Sequence, residues 1–86
     1  MKYQCPCCDY FTLEEVGNYD ICPICFWEND GLDIDGIDKH SGPNHMTIRE
    51  GRANFLKYGA CEERFIKKVV PKKFRIRYTW LERFPE

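Results

Sequence analysis

The sequence lacks any long apolar segment. Nothing in its 86 residues approaches the roughly 18 consecutive apolar residues of a membrane-spanning helix, and residues 1–5 carry no apolar core of the kind found in signal peptides. We therefore expect a cytoplasmic protein without a membrane partner. A reducing compartment keeps cysteines available as thiols or metal ligands.

The residues and motifs of common catalytic sites are also scarce. Histidine occurs only twice, and no glycine-rich phosphate loop followed by lysine is present. No serine, histidine and acidic residue can be assigned to a common site from their positions in the chain. We therefore expect that the protein is not an enzyme.

Cysteine is what the sequence does have, and four of its six cysteines form two Cys-x-x-Cys pairs. Cys5 and Cys8 make the first pair, Cys22 and Cys25 the second, with thirteen residues between the pairs. Zn²⁺ binds four thiolates in a tetrahedron at about 2.3 Å, and each such pair supplies two of them. A closed shell of four thiolates leaves no place for a reacting water. The pattern predicts one structural zinc ion per chain.

Other uses of these cysteines remain as alternatives. Two disulfides would require an oxidising compartment, and a redox dithiol would require a strand-to-helix setting that the pattern does not show. Cys7, His40 or His45 would be the replacement ligand if one of the four cysteines did not bind. Cys61 has no second cysteine nearby in the sequence, so we expect a small buried side chain there.

Periodicity predicts one hairpin, one helix and one C-terminal strand. Residues 10–13 and 19–21 are rich in aromatic and β-branched side chains and are separated by Gly17-Asn18, which is typical of a β-hairpin. Alternation of Phe74, Ile76, Tyr78 and Trp80 with basic residues predicts a strand over residues 73–81.

The helix has clear signals at both ends. Thr47 and Glu50 have the spacing of a capping box, and Gly59 is a natural stop. Ile48, Phe55, Leu56 and Gly59 fall on one stripe, which we expect to pack on the hairpin.

Together these elements predict a small α+β domain that occupies residues 1–86. A zinc-ribbon-like β-hairpin with two Cys-x-x-Cys knuckles would span residues 1–30, followed by an acidic loop over 31–46. A helix over 47–59 would pack on the hairpin, and a basic C-terminal extension over 67–86 would contain the final strand. A metal ion is a common means of stabilising a domain of this size.

The charges are strongly divided along the chain. Net charge is −1 overall, but residues 1–45 carry −7 and residues 46–86 carry +6. Either the two halves pack together, or one of them recruits a charged partner. Another protein is the expected partner, and the candidate contacts are Trp27, Asp30, Asp33, Asp35 and Asp38.

A nucleic acid is the alternative partner. Basic residues interleaved with aromatics suit single-stranded RNA or DNA, and the candidate residues are Lys72, Lys73, Arg75, Arg77 and Tyr78. An edge strand with outward basic side chains would produce the same pattern, and the chain is not strongly basic.

The sequence resembles the bacterial family of cysteine-rich CPCC domains. The resemblance rests on Tyr3-Gln4-Cys5-Pro6-Cys7-Cys8, on the run from Tyr19 to Asp30 that contains Cys22-Pro23-Ile24-Cys25-Phe26-Trp27, and on Gly42-Pro43-Asn44. It covers residues 3–63, with Asp9 where members often have glycine. It implies a small zinc-binding cytoplasmic domain and no particular activity.

We therefore predict a non-enzymatic zinc-stabilised domain that binds another protein. One version is an immunity or antitoxin-like protein, whose acidic loop would mask a basic nuclease.

Overall fold

Two short hairpins and one helix form the framework of the protein. A computed structural model describes residues 2–83. Its strands and main helix are β1 (Tyr3–Gln4), β2 (Phe11–Leu13), β3 (His40–Ser41), β4 (Met46–Thr47) and α1 (Ile48–Tyr58), and its 3₁₀ helices are Ile34–Gly36, Glu63–Lys68 and Lys72–Arg77. This is a small α+β fold, as the sequence predicts.

The first hairpin differs from the predicted one. β2 pairs with β1 in antiparallel fashion, with Tyr3 opposite Leu13 and Gln4 opposite Phe11, whereas residues 19–21 do not pair with β2. Ile21 instead forms a bridge with Glu28. Each cysteine pair reverses the chain by itself, so its flanking residues pair locally, and closing the shorter loop costs less entropy.

The segment predicted as an acidic loop contains regular structure. β3 and β4 pair antiparallel, with His40 opposite Thr47. Asn44 is buried and joins this hairpin to the second knuckle: its amide oxygen accepts from the Glu28 amide at 2.8 Å, and its nitrogen donates to the Glu28 carbonyl at 2.8 Å. Asn44 thus bonds Glu28 as a neighbouring strand would.

Helix α1 begins and ends at the predicted signals. Thr47 Oγ1 accepts from the Glu50 amide at 3.1 Å, the Glu50 carboxylate accepts from the Thr47 amide at 2.8 Å, and Gly59 has a left-handed φ of 77°. The predicted apolar stripe is partly wrong, because 86% of Leu56 is exposed.

Gly51, not Leu56, packs against the core, together with the buried Ile48. Trp27 is completely buried, and a Cβ added to Gly51 would lie 2.7 Å from Cζ3 of that indole and 3.3 Å from Cys7 Sγ. The helix can approach the indole this closely only because residue 51 has no side chain. The buried core is rich in cysteine and comprises Cys5, Cys7, Cys8, Leu13, Cys22, Ile24, Cys25, Trp27, Met46, Ile48 and Cys61.

The predicted C-terminal strand over residues 73–81 is also wrong, because Lys72–Arg77 is a 3₁₀ helix. Arg75 points inward and is only 7% exposed; it donates to the carbonyls of Gly59 at 2.7 Å and Val70 at 2.8 Å. Regular alternation would have put this side chain on a basic outer face. Within residues 73–81, strand-like pairing with the rest of the protein occurs only beyond residue 77, where the Thr79 carbonyl accepts from the Phe11 amide of β2 at 2.9 Å.

None of the helices within residues 2–83 has the length and apolar character needed to cross a membrane.

Replacing Gly51 by alanine tests the close packing of α1 on Trp27. Overpacking a tight core costs about 1–3 kcal/mol, and a Cβ only 2.7 Å from the ring of fully buried Trp27 places this change at about 2–3 kcal/mol, whereas alanine gains about 1 kcal/mol of helix propensity over glycine. We expect a net loss of about 1–2 kcal/mol in the free energy of unfolding, measured by urea denaturation of the metal-saturated protein.

Gly42→Ala is the matched control, because a Cβ at residue 42 meets no atom within 4 Å. This variant should unfold close to the wild type. A Gly51→Ala protein as stable as its control would contradict the close packing.

Candidate metal centre

The first cysteine pair lies in the tight turn between β1 and β2. The Cys5 amide donates to the Tyr10 carbonyl at 2.8 Å, and the Asp9 amide donates to the Cys5 carbonyl at 2.9 Å. Asp9 closes the turn with a left-handed φ of 68°. Aspartate adopts this conformation more readily than most residues, which explains how it can stand at a position suited to glycine.

The second pair repeats this geometry. The Cys22 amide donates to the Trp27 carbonyl at 2.9 Å, the Phe26 amide donates to the Cys22 carbonyl at 2.8 Å, and Phe26 has a φ of 71°. Superimposing the two turns residue by residue makes Cys7 the counterpart of Ile24. Both side chains are buried, so the third residue of each turn belongs to the core.

The two turns bring four sulfur atoms together. Cys5 Sγ lies 3.6 Å from Cys25 Sγ, and Cys8 Sγ lies 3.7 Å from Cys22 Sγ, with all four atoms within 4.8 Å of one another. A tetrahedron with metal–sulfur bonds of about 2.3 Å has sulfur–sulfur edges of roughly 3.8 Å. The four cysteines can therefore bind a metal ion, and their spacing fits a zinc tetrathiolate.

The buried cluster is electrostatically suited to a cation. Burial raises the pKa of Cys8 and of Cys25. Burial also acts to raise the pKa of Cys22, but hydrogen bonds from Cys25, Cys5, Cys8 and Thr12 outweigh it and lower that pKa. The Thr12 hydroxyl lies 3.0 Å from Cys22 Sγ. A metal ion binds thiolates in place of protons, so it would relieve the cost of ionising all four thiols together.

An ion pair fastens helix α1 to the first knuckle. Both terminal nitrogens of Arg52 lie 2.8 Å from the Asp9 carboxylate, and one of them also donates to the Pro6 carbonyl at 2.7 Å. Burial acts to raise the pKa of Asp9, but hydrogen bonds from Arg52 and Arg83 outweigh it and lower that pKa. The Asp9 hydrogen bond in turn raises the pKa of Arg52. The fold thus holds a charged pair directly beside the cysteine cluster.

Later parts of the chain bond to the backbone of the second cysteine in each pair. The Cys61 amide donates to the Cys25 carbonyl at 2.7 Å, and the Trp80 indole nitrogen donates to the Cys8 carbonyl at 3.1 Å. Both knuckles are therefore braced by residues distant in sequence.

The alternative ligands stand apart from the four-sulfur cluster. Within residues 2–83, Cys5, Cys8, Cys22 and Cys25 are the group close enough to hold one metal ion, whereas His40 in β3 and His45 in the turn before β4 are exposed. Cys7 lies beside Cys25 as a buried neighbour, and Cys61 is buried as expected.

The predicted protein-binding residues differ in how far the fold exposes them. Trp27, which the sequence suggested as a partner contact, is 0% exposed and belongs to the core. Asp30 is occupied internally, since its carboxylate accepts from the Leu32 amide and the Ser41 hydroxyl. The remaining three carboxylates, Asp33, Asp35 and Asp38, are exposed.

Two of the predicted nucleic-acid contacts are also directed inward. Arg75 is buried, and Tyr78 is half-buried and packs against the core. Lys72, Lys73 and Arg77 are exposed.

Comparison with known families agrees with this centre. A family model described as Cysteine-rich CPCC matches residues 3–75. The chain belongs to the cysteine-rich CPCC family. The CPCC match extends beyond residue 63, so it includes residues 67–75 of the basic C-terminal extension, which the sequence resemblance had left out. No curated protein and no solved structure matches the chain.

Gly51 and Arg52 are the important residues of this CPCC domain that sequence reasoning missed. Gly51 departs from good helix formers in the middle of α1, and such a glycine usually marks a close contact. Arg52 carried no comparable signal, because an arginine on a helix is most often solvated.

A double-mutant cycle tests the Asp9–Arg52 pair. Asp9→Asn keeps a residue that tolerates a left-handed φ, and Arg52→Met keeps an apolar stem. Each change removes the principal opposite charge of a part-buried pair, while Arg83 still bonds Asp9 and the Pro6 carbonyl still accepts from Arg52, so we expect each to cost about 1–3 kcal/mol of unfolding free energy. The double variant should lose at least about 1 kcal/mol less than the two single losses combined, as measured by urea denaturation.

Arg49→Met is the control on the same helix, because the Arg49–Asp38 pair is largely exposed. It should change stability much less than Arg52→Met. Additive effects of the Asp9 and Arg52 changes would contradict a direct coupling.

Proposed function

We propose that this protein is a zinc-binding domain in which one structural Zn²⁺, held by Cys5, Cys8, Cys22 and Cys25, maintains the fold. The observation that carries the proposal is the pair of sulfur–sulfur distances, 3.6 and 3.7 Å, beside an expected edge of roughly 3.8 Å. Thiolate is a preferred ligand of zinc, and four of them satisfy its tetrahedral shell.

The same arrangement supports a non-enzymatic role for the metal. All four cysteines are buried, and a shell of four protein ligands has no position for a water molecule or a substrate. Catalytic zinc sites usually keep one such position open. The ion would therefore stabilise the fold and take no part in a reaction.

The extent of the secondary structure explains why the fold would need the ion. The strands are two or three residues long, and isolated two-stranded hairpins are marginally stable in water. A bound ion would join the two knuckles through bonds absent from the unfolded chain, so its binding free energy would contribute to folding.

Metal analysis combined with single substitutions tests this proposal. Wild-type protein purified under reducing conditions should contain one zinc per chain. Cys8→Ser and Cys22→Ser should each lose most of the zinc and the cooperative unfolding transition, because removing a ligand weakens the closed site. The readouts are elemental analysis and thermal unfolding.

Cys7→Ala and Cys61→Ser serve as controls, because both remove a buried thiol outside the four-sulfur cluster. Both variants should keep one zinc per chain. Zinc lost from Cys7→Ala but kept in Cys8→Ser would assign the ligand role to Cys7, and metal-free, cooperatively folded wild-type protein would refute the proposal.

We further propose that the domain works by binding another protein, with Asp33, Asp35 and Asp38 as the contact surface. Their exposure supports this role, and a basic partner would complement their charge. An immunity or antitoxin-like protein that masks a basic nuclease is the concrete version of this proposal.

Charge reversal at Asp35 tests the protein-binding proposal. Among the three aspartates, Asp33 and Asp38 pair with Arg83 and Arg49, so Asp35→Lys changes the surface with the least disturbance of those contacts. We expect Asp35→Lys to slow association with the product of a neighbouring gene by about tenfold at low salt, measured by surface plasmon resonance. Glu63→Lys, an exposed change elsewhere, is the control. Equal association rates for both variants would exclude this surface.

A further inference from the structure

Residues 64–77, here called the cationic segment, carry an unbalanced positive charge. The segment contains seven basic residues and no acidic residue. Arg64 pairs with Glu62, and Arg75 is buried against backbone carbonyls. The other five side chains are exposed and form no ion pair within residues 2–83; they are Lys67, Lys68, Lys72, Lys73 and Arg77.

The cationic segment also exposes apolar side chains among these charges. Ile76 is 91% exposed, Ile66 45% and Phe74 41%. In a 3₁₀ helix, side chains three apart lie on the same side. Arg75 therefore marks the inward side of Lys72–Arg77, and the two remaining rows are Lys73 with Ile76 and Phe74 with Arg77. Each outward row combines one cation with one apolar side chain.

The first 3₁₀ helix of the segment, Glu63–Lys68, is anchored in the same way. Phe65 packs on Phe26 with 4.5 Å between ring centroids, which directs Phe65 inward. Ile66 and Lys67 follow it on the outward sides. The fold thus anchors both short helices through Phe65 and Arg75 while leaving their apolar and basic side chains in solvent.

This combination distinguishes between anionic partners. A nucleic acid would use aromatic rings for base stacking, but Lys73 and Arg77 already lie over the Phe74 ring, at 5.2 and 5.4 Å from its centroid. Aliphatic side chains such as Ile76 gain little from phosphates or bases. An anionic bilayer attracts the cations and also offers the acyl boundary as a place for apolar side chains.

We propose that the cationic segment binds the surface of an anionic lipid bilayer. Lys67, Lys73 and Arg77, which lie on the outward sides, contact the headgroups, while Ile66 and Ile76 enter the interfacial layer. This differs from the expectation from sequence that the protein has no membrane partner. It is independent of the proposed protein-binding surface.

Vesicle sedimentation with the full-length, metal-loaded protein tests the proposal. The probes are vesicles of phosphatidylcholine alone and vesicles in which one third of the lipid is phosphatidylserine. We expect binding to the second kind only, with affinity that falls as salt is raised, because ions screen the attraction between headgroups and lysines.

Two sets of variants separate the electrostatic part from the apolar part. Each lysine near an anionic surface contributes about fivefold in affinity, so Lys67→Gln combined with Lys73→Gln should weaken binding by roughly 25-fold. Ile76→Ser should weaken binding at both low and high salt, because its contribution does not depend on charge. Ile76 is nearly fully exposed, so the protein should still fold.

The matched control is Leu56→Ser combined with Lys57→Gln, because these residues form an equally exposed apolar and basic pair on α1, outside the cationic segment. The control should bind vesicles like the wild type.

Three results would overturn the proposal. The first is no binding to phosphatidylserine vesicles at low salt. The second is an equal loss of binding in the control and in the Ile76 and lysine variants. The third is binding to a single-stranded oligonucleotide that Ile76→Ser leaves unchanged, without binding to vesicles, which would assign the segment to nucleic acid.

Discussion

The mutual approach of four sulfur atoms is the constraint from which most of this structure follows. Buried thiols crowded within 4.8 Å of one another cannot all ionise without a cation, and their tetrahedral spacing suits such an ion. The two knuckles must keep the same turn geometry to hold this spacing. The surrounding core is built on these turns: Trp27 follows the second turn, and Gly51 of helix α1 packs closely against its ring.

Polar contacts complement this packing on the side of the first knuckle. Asp9 lies at the turn, Arg52 reaches it from α1, and Arg83 reaches it from the C-terminal part of the chain. Three segments far apart in sequence therefore meet at one carboxylate. In a domain with very short strands, such side-chain contacts carry much of the connection between segments that a larger sheet would otherwise provide.

The sequence was informative where a local pattern has one strong physical cause. The cysteine spacing predicted the four-sulfur cluster. Thr47, Glu50 and Gly59 predicted the two ends of α1, because capping depends on neighbours three or four residues away. Pairing partners were harder to predict. Residues 19–21 have strand character, but the turn geometry of Cys22 and Cys25 directs them to their own knuckle.

Burial that depends on distant contacts could not be predicted from periodicity. Arg75 occupies a position that alternation assigns to a basic outer face, yet carbonyls of Gly59 and Val70 hold it inside. For Leu56 the prediction failed in the other direction. Helical spacing assigned Leu56 to the core side, but its side chain is exposed and Gly51 packs against the core instead.

The left-handed residue that closes each turn has a consequence for how the domain is connected. Glycine would satisfy the backbone there, but Asp9 and Phe26 add side chains that reach Arg83 and Phe65, respectively. The turns thereby serve as two tether points for the last third of the chain. Turn formation and tethering are separate properties, so glycine at either place would retain the sulfur geometry while removing one contact to the C-terminal part of the chain.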